Sequence, residues 1–153
     1  MKSVLTAFAA AFFAAAPAAA CTLPSNAAQI MADAGAAMNA KRAAAGRPAL
    51  DRHGLLDKAA QDHACWMADN NTFSHIGAGG SKPKRRIKAA GYSTRLAAEN
   101  IALGQTTGAQ VISTWMGSSG HRQNILRSGV DDYGIGVAVM QGQTAWVMVF
   151  AQD

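Results

Sequence analysis

Two adjacent apolar segments near the C-terminus constrain the fold more than any other feature of this sequence. Residues 133–140 and 144–151 alternate like β-strands, and the Gln-Gly-Gln segment between them predicts a hairpin. The second segment is apolar on both faces, which carry Trp146, Met148 and Phe150 on one side and Ala145, Val147 and Val149 on the other. A strand with two apolar faces must be covered on both sides. The sequence therefore predicts a three-layer α/β/α sandwich around a small, mostly antiparallel sheet.

The remaining segments supply the covering layers. Helical periodicity and helix breakers predict helices at about residues 27–45, 55–71, 81–90, 107–117 and 121–127, with a strand at 96–103 and a loop at 73–80. We expect Ser118 or Ser119 to cap the last of these helices. In the first strand of the hairpin, Gly134, Gly136 and Ala138 share one face, so a covering element can approach that face closely.

The N-terminal segment has the pattern of a secretory signal peptide. Lys2 precedes a short apolar stretch, and the segment ends in Ala18-Ala19-Ala20, which fits the small residues of a cleavage site. The apolar stretch is too short and too rich in alanine for a stable membrane span. We therefore expect residues 1–20 to be a signal peptide and residues 21–153 to be one mature domain without a transmembrane segment. The product is expected to be secreted or periplasmic.

Cleavage at that site would leave Cys21 at the N-terminus, which permits two interpretations. The cysteine could carry a lipid anchor, although Ala18 stands where the lipidation motif usually has leucine. Alternatively it pairs with Cys65, the only other cysteine, since an even number of cysteines in an exported chain indicates a disulfide. Helical geometry places Cys65 opposite the apolar stripe of its helix, on an outer face with Gln61, where a passing segment could be bound.

The mild positive charge of the chain is not evidence for nucleic acid as a partner. The formal charge is +5, and removal of Lys2 with the leader makes it +4. The basic residues between positions 82 and 88 have no aromatic residues among them on which bases could stack. We interpret this cluster as a solvated helix face that consists of Lys82, Lys84, Arg85, Arg86 and Lys88.

Glu99 is the only glutamate, and it lies in the apolar strand at residues 96–103. Burial of a carboxylate is unfavourable unless the group is paired or hydrogen-bonded, so Glu99 needs a partner. One interpretation is that it organises backbone amides or caps a helix. The other is that it faces a polar site.

The chain has four histidines that could be this partner. We expect His63, on an apolar helix face, to be a core residue with its hydrogen bonds satisfied, and His53 to be an exposed loop residue. His75 lies in a glycine-containing loop, and His121 opens a short helix whose N-terminus favours the neutral, metal-binding imidazole. Two histidines and a glutamate are ligand types of an open zinc site. Their gaps of 24 and 22 residues (99 − 75 and 121 − 99) match no compact metal motif.

Five motifs occur in an order that resembles a known family. They are Phe73-Ser74-His75, residues 98–102 (Ala-Glu-Asn-Ile-Ala), residues 115–126 (Trp-Met-Gly-Ser-Ser-Gly-His-Arg-Gln-Asn-Ile-Leu), residues 133–137 (Tyr-Gly-Ile-Gly-Val) and residues 146–150 (Trp-Val-Met-Val-Phe). Over about residues 27–152 the chain resembles the bacterial branch of the CAP superfamily, also called SCP-like domains. The superfamily includes cysteine-rich secretory proteins, insect venom antigen 5 and plant pathogenesis-related 1 proteins.

The resemblance implies an exported α/β/α sandwich with a large central cleft. Family members place two histidines and two acidic residues in this cleft, and several bind zinc or another divalent cation through the histidines. By motif, His75 and His121 match the histidines and Glu99 matches the first acid. The second acid often lies three residues after the tryptophan of the penultimate helix, where this chain has Ser118. This departure weakens the hypothesis of acid–base catalysis by two carboxylates, but it does not remove the hypothesis of a metal site.

Three functions are compatible with these residues. Our hypothesis is a binding or interaction module without established catalytic activity, whose cleft takes Zn²⁺ or another divalent cation and a lipid, glycan or peptide. Alternatively, a metal-dependent hydrolase would use Glu99 as the base for a water bound by His75 and His121. In the third interpretation, the same three residues form a structural polar cluster without a ligand.

Overall fold

The computed structural model of the chain describes residues 21–153, and the predicted signal peptide, residues 1–20, lies outside the described residues. Within this range there are five α-helices: α1 (Ala27–Ala44), α2 (Gly54–Asp69), α3 (Pro83–Ala89), α4 (Gly108–Gly117) and α5 (Ser119–Ile125). The strands of the same range are β1 (Asp51–Arg52), β2 (Leu96–Leu103), β3 (Asp132–Met140) and β4 (Gln143–Gln152). A short 3₁₀ turn spans Ala78–Gly80 in the loop between α2 and α3.

The strands form one mixed sheet in the order β1-β3-β4-β2. β4 pairs antiparallel with β2 and β3, whereas β1 pairs parallel with β3. Helices α1, α4 and α5 cover one face of the sheet, and α2 and α3 cover the other. The predicted α/β/α sandwich is thus confirmed. Strand β1 was not predicted, because Asp51 and Arg52 carry no strand pattern and are extended only through their pairing with β3.

The two faces of β4 belong to two separate cores. One core contains Trp146, Met148 and Phe150 with residues of α1 and α4. The other contains Ala145, Val147 and Val149 with residues of α2 and α3. All six side chains are buried, as the alternation of two apolar sets predicts.

The small residues of β3 allow α2 to lie directly against the sheet. A methyl group added at Gly134 would lie 2.1 Å from the carbonyl carbon of Leu56, and one added at Gly136 would lie 2.4 Å from Cα of Gln61. Real side chains do not approach a backbone so closely, so only glycine fits at these two positions. The predicted close approach is therefore confirmed, and the approaching element is the backbone of α2.

Side chains of α2 also complete the hydrogen bonding along the outer edge of β3. Three contacts do this: Ile135 N donates to Asp57 Oδ1 at 2.9 Å, Val137 N donates to Gln61 Oε1 at 3.2 Å, and Gln61 Nε2 donates to Val137 O at 2.7 Å. Further along the strand, Val139 N donates to the backbone oxygen of Thr22 at 2.7 Å. Because buried backbone groups without partners are unfavourable, these contacts fix α2 and the N-terminal segment in place.

Cys21 and Cys65 form the predicted disulfide, with their Cα atoms 5.3 Å apart. The bond holds the segment that carries Thr22 beside α2, and it leaves Cys21 without a thiol for a lipid anchor. The predicted surroundings of Cys65 were wrong. Cys65 and Gln61 are half-buried rather than on an outer face, because this side of α2 faces the edge of β3.

Three local predictions also need correction. The hairpin turn consists of two residues, Gln141 and Gly142, with φ of 50° and 75°, because β4 already begins at Gln143. Ser118 lies at the N-cap position of α5, but no side-chain hydrogen bond caps this helix. His53 is the N-cap of α2 rather than a loop residue, and its Nδ1 accepts a hydrogen bond from Leu55 N at 3.2 Å.

No helix within residues 21–153 combines the length and the apolar character that crossing a bilayer requires.

Replacing Gly136 with alanine is expected to lower the free energy of unfolding by about 3 kcal/mol, because the new methyl group would meet the backbone of α2. Gly54→Ala is the matched control, since a methyl group at Gly54 has no neighbouring atom within 4 Å. Urea unfolding of both variants measures the difference. Equal stability of the two variants would contradict the close packing of α2 on β3.

Candidate functional site

The carboxylate of Glu99 is the centre of a buried polar cluster on β2. Its side chain is 1% exposed. Oε1 accepts a hydrogen bond from His75 Nδ1 at 2.8 Å, and Oε2 accepts one from Arg86 Nη2 at 2.5 Å. The prediction that Glu99 needs polar partners is confirmed, and each of its oxygens has one.

Arg86 ties the loop before α3 to this carboxylate. Besides its bond to Glu99, its Nη1 donates to Ser81 O at 2.6 Å and to His75 O at 3.1 Å. The side chain is 11% exposed, so its assignment to a solvated helix face was wrong. Arg86 precedes the buried Ile87 on α3, and from that position the long guanidinium side chain reaches inward to the carboxylate. A sequence signal existed, since a lone buried acid in a chain with a nearby basic cluster calls for a cationic partner.

His63 lies against the same cluster from α2. Its Nε2 donates to Ser74 O at 2.8 Å and lies 4.0 Å from Glu99 Oε1, and its ring stacks on Trp66. Its Nδ1 is buried and has no hydrogen-bond partner within the part of the chain that the structure describes. Burial lowers the pKa of His63, and the charge of Glu99 only partly opposes this effect. The ring is therefore a core residue, as predicted, but its hydrogen bonding is only half satisfied and its place beside Glu99 was not foreseen.

A pair of asparagines positions the helix that carries His121. Asn124 Nδ2 donates to Glu99 O at 3.2 Å and to Asn100 Oδ1 at 2.9 Å. Asn100 Nδ2 in turn donates to His121 O at 3.1 Å. These contacts dock the first turns of α5 onto β2 beside the carboxylate cluster.

Arg42 fixes the opposite end of α5. The side chain is almost fully buried, and its Nη1 donates to Ile125 O at 2.7 Å and to Arg127 O at 3.0 Å. A cation at the C-terminal end of a helix interacts favourably with the carbonyl groups there. The position of His121 is thus set from both ends of its helix. The i, i+4 spacing of Ile30, Ala34, Met38 and Arg42 was a sequence signal for the burial of Arg42, and it was missed.

The surroundings of His121 lower the pKa of its imidazole. Burial is the main cause, and the nearby His75 is the second. Its Nδ1 is buried without a hydrogen-bond partner among residues 21–153. This direction agrees with the neutral form that the sequence predicts from the helix N-terminus, and burial is a cause that the sequence did not show.

Ser118, the predicted fourth polar group of the cleft, lies half-buried between α4 and α5. Its backbone N–H donates to Trp115 O, which closes the last turn of α4. Within residues 21–153, no hydrogen bond connects its hydroxyl to the Glu99 cluster or to either cleft histidine. The structure therefore joins His75 directly to Glu99 and brings His121 to the same strand through Asn100, whereas Ser118 stays apart.

The donor groups determine what the site can hold. His75 uses Nδ1 for Glu99, so its Nε2 is the nitrogen left to bind a cation, and the side chain is 49% exposed. A carboxylate that binds the far nitrogen of an imidazole is the usual arrangement behind a metal-binding histidine. No group of three or more His, Cys, Asp or Glu residues suited to a metal occurs in residues 21–153. The imidazoles of His75 and His121, together with water, are the groups that would hold a divalent cation here, and they form a weak ligand set.

Two features indicate the class of protein: the α/β/α sandwich, and the histidine–carboxylate pair whose Glu99 lies on the last strand of the sheet. Residues 36–150 match the Cysteine-rich secretory protein family, CAP. Since this match covers most of the chain, the chain belongs to the CAP family.

Two proteins of Bacillus subtilis resemble the chain in sequence. It is 36% identical over 112 residues to protein YkwD, covering 73% of this chain and 43% of that protein. It is 33% identical over 75 residues to the membrane protein YlbC of the same organism, covering 49% and 22%. The chain thus spans less than half the length of these curated relatives.

Two solved structures show the same fold. An extracellular protein containing an SCP domain from Bacillus anthracis has a TM-score of 0.74 at 27% identity, with 83% of this chain and 41% of that chain covered. An outer surface protein from Borrelia burgdorferi has a TM-score of 0.78 at 20% identity, with 86% and 98% covered.

Loss of Arg86 is expected to destabilise the protein strongly. Arg86→Met leaves the buried Glu99 carboxylate without its cationic partner, so the free energy of unfolding should fall by about 3 kcal/mol. Arg85→Met is the matched control on the exposed side of α3. Addition of Glu99→Gln to Arg86→Met should restore part of the loss, because an amide carries no charge. Urea unfolding that shows equal loss for Arg85→Met and Arg86→Met would contradict the role of the ion pair.

Stability is expected to fall as the pH decreases from about 7 to about 5. The pKa values of His63 and His121 are lowered in the folded protein, mainly by burial, from the ordinary value of 6.5. Below about pH 6.5 the unfolded chain therefore binds more protons than the folded one, and acidification favours unfolding. Urea unfolding at several pH values measures the slope, which His121→Asn should reduce. A free energy of unfolding that does not change over this range would contradict the prediction.

Proposed function

We propose that this protein is an exported CAP-family binding module, whose cleft holds a divalent cation between His75 and His121. The observation that carries the proposal is the 2.8 Å hydrogen bond from His75 Nδ1 to Glu99 Oε1. This bond fixes the ring and leaves Nε2 as the donor atom on a half-exposed side chain. When bound, the cation would supply an attachment point for an anionic or polar group of the partner.

Export is part of the proposal and has separate support. A disulfide between Cys21 and Cys65 suits an oxidising compartment rather than the cytosol. The Bacillus anthracis protein, which is 27% identical to this chain, is described as extracellular. The signal-peptide pattern of residues 1–20 agrees with both.

The geometry favours binding over hydrolysis. As a general base, Glu99 would need an oxygen that can reach a water molecule bound between the histidines. Both oxygens already accept hydrogen bonds, one from His75 and one from Arg86, and the side chain is buried. This arrangement suits a residue that orients an imidazole. The same contacts also hold the loop at residues 73–81, so a structural cluster without a ligand is the outcome against which metal binding must be tested.

Zinc binding can be tested by thermal unfolding of protein that carries no polyhistidine tag. Zn²⁺ should raise the unfolding midpoint of the wild type, because a ligand that binds only the folded state stabilises it by about 2.7 kcal/mol at 100 times its Kd. His75→Ala and His121→Ala should each abolish the rise. His53→Ser is the matched control, since it removes an imidazole outside the cleft and keeps an N-cap oxygen for α2.

Three results would contradict this proposal. If Zn²⁺ or other divalent cations leave the wild-type midpoint unchanged, the cluster is structural. If the rise persists in His75→Ala and His121→Ala, the cation binds elsewhere. Turnover of ester or peptide substrates that needs Zn²⁺ and Glu99 would favour the hydrolase instead.

A further inference from the structure

The positive charge of the chain is concentrated in one segment. Residues 70–98, from the end of α2 to the third residue of β2, contain six cationic residues and no acidic residue. The rest of residues 21–153 contains seven cationic and nine acidic residues, so its formal charge is −2 while that of residues 70–98 is +6. This segment forms the wall of the site that carries His75 and Arg86. We call its central part, residues 73–88, the basic rim.

Two large apolar side chains on the basic rim are left uncovered by the fold. Phe73 is 46% exposed and Ile76 is 45% exposed, and they flank the half-exposed His75. Among residues 21–153 the other exposed large hydrophobic side chains are Leu23 and Leu55, in the N-terminal segment and the first turn of α2. The basic rim therefore combines exposed apolar and cationic side chains in one short segment.

Hydrogen bonds join the two parts of the basic rim, which are the loop that carries His75 and helix α3. Arg86 binds His75 O at 3.1 Å and Arg85 binds Gly79 O at 3.5 Å, so the loop is tied to α3. Lys82 and Lys88 are exposed, and their ammonium groups have no hydrogen bond or ion pair with any residue that the structure describes. These two cations are free to meet an anionic partner.

We propose that the basic rim docks the protein on the surface of an anionic phospholipid bilayer. In this arrangement Phe73 and Ile76 enter the boundary between headgroups and acyl chains, while Lys82 and Lys88 contact headgroup phosphates. Apolar side chains beside a cluster of cations are the combination that peripheral proteins use at such surfaces. A polyanionic glycan would satisfy the cations, but it would leave the two apolar side chains in water.

The orientation that follows turns the cleft toward the membrane. His75 lies between the two inserting residues in sequence, and it is held by both Glu99 and Arg86. Docking depends on the charges and apolar side chains of the basic rim, and not on the cation proposed for the cleft. It is therefore measured with a chelator present, so that failure of one proposal leaves the other intact.

Sedimentation with vesicles tests the proposal. The purified, disulfide-bonded protein is mixed with vesicles of phosphatidylcholine alone or with about one third phosphatidylglycerol, in EDTA and at low and high salt. Wild type should bind only the anionic vesicles, and more weakly at high salt because ions screen the attraction. Lys82→Glu with Lys88→Glu should weaken binding by more than about 25-fold, since the loss of each cation near such a surface costs about fivefold and the two new carboxylates add repulsion. Phe73→Ser with Ile76→Ser should also lower it, but without changing its salt dependence.

Matched variants separate docking from general charge and hydrophobicity. Lys41→Glu with Arg47→Glu makes the same change of charge on and after α1, and Leu23→Ser with Leu55→Ser removes the other two exposed apolar side chains. Both controls should bind like the wild type, and thermal unfolding confirms that each variant folds.

Three outcomes would overturn the proposal. The first is absence of binding to anionic vesicles. The second is equal loss of binding in the charge control and in the variant of the basic rim. The third is binding to the soluble polyanion heparin that exceeds vesicle binding and is unaffected by Phe73→Ser with Ile76→Ser, which would indicate a glycan surface.

Discussion

Backbone groups at the edges of a small sheet that is covered on both faces have little access to water, so they need hydrogen-bond partners from elsewhere in the chain. On β3 these partners are two polar side chains of α2. On β2, Trp115 of α4 donates to Ile101 O at 3.1 Å, and Asn124 of α5 donates to Glu99 O at 3.2 Å. The side chains that form hydrogen bonds with these backbone groups also hold α2, α4 and α5 against the sheet. The position of His121 on α5 therefore depends on the same hydrogen bonds that protect the edge of β2.

The alternation of side chains along β2 explains why the site draws on both layers. Glu99 and Asn100 are consecutive, so they point to opposite faces of the sheet. Glu99 meets the loop and helix of the α2–α3 layer through His75 and Arg86, whereas Asn100 meets α5 in the other layer. Because β2 is the last strand of the sheet, these two sets of contacts meet around its free edge. A cleft over this edge can thus combine histidines that belong to different layers.

The features that the sequence could predict are those that follow from the direction of Cα–Cβ bonds. The apolar alternation of β4 predicted two cores, the glycines of β3 predicted a close neighbour, and a lone buried Glu99 predicted a polar partner. The spacing of α1 already points the Cα–Cβ bond of Arg42 to the buried face, but the partners of Arg42 and Arg86 escaped prediction because both have long side chains. Periodicity gives the direction in which such a side chain leaves the backbone, but the position of its guanidinium group several bonds away depends on which carbonyl or carboxylate oxygens the tertiary fold brings near. The surroundings of His63 were not predicted for a related reason. The fold brings the loop that carries Ser74 and the strand that carries Glu99 to its ring, and helical periodicity does not show this.

The replacement of the family's second cleft acid by Ser118 changes the charge that the site presents. Its single carboxylate is already matched by the guanidinium of Arg86, and its two cleft histidines contribute no negative charge. A divalent cation bound between His75 and His121 would therefore keep most of its positive charge instead of being neutralised by its ligands. That charge would add to the six cations of residues 70–98 and strengthen the field on the same side of the molecule. If the basic rim docks on an anionic bilayer as proposed, the bound cation and the exposed Phe73 and Ile76 would act on the same partner, the cation on its phosphates and the apolar side chains on its acyl boundary.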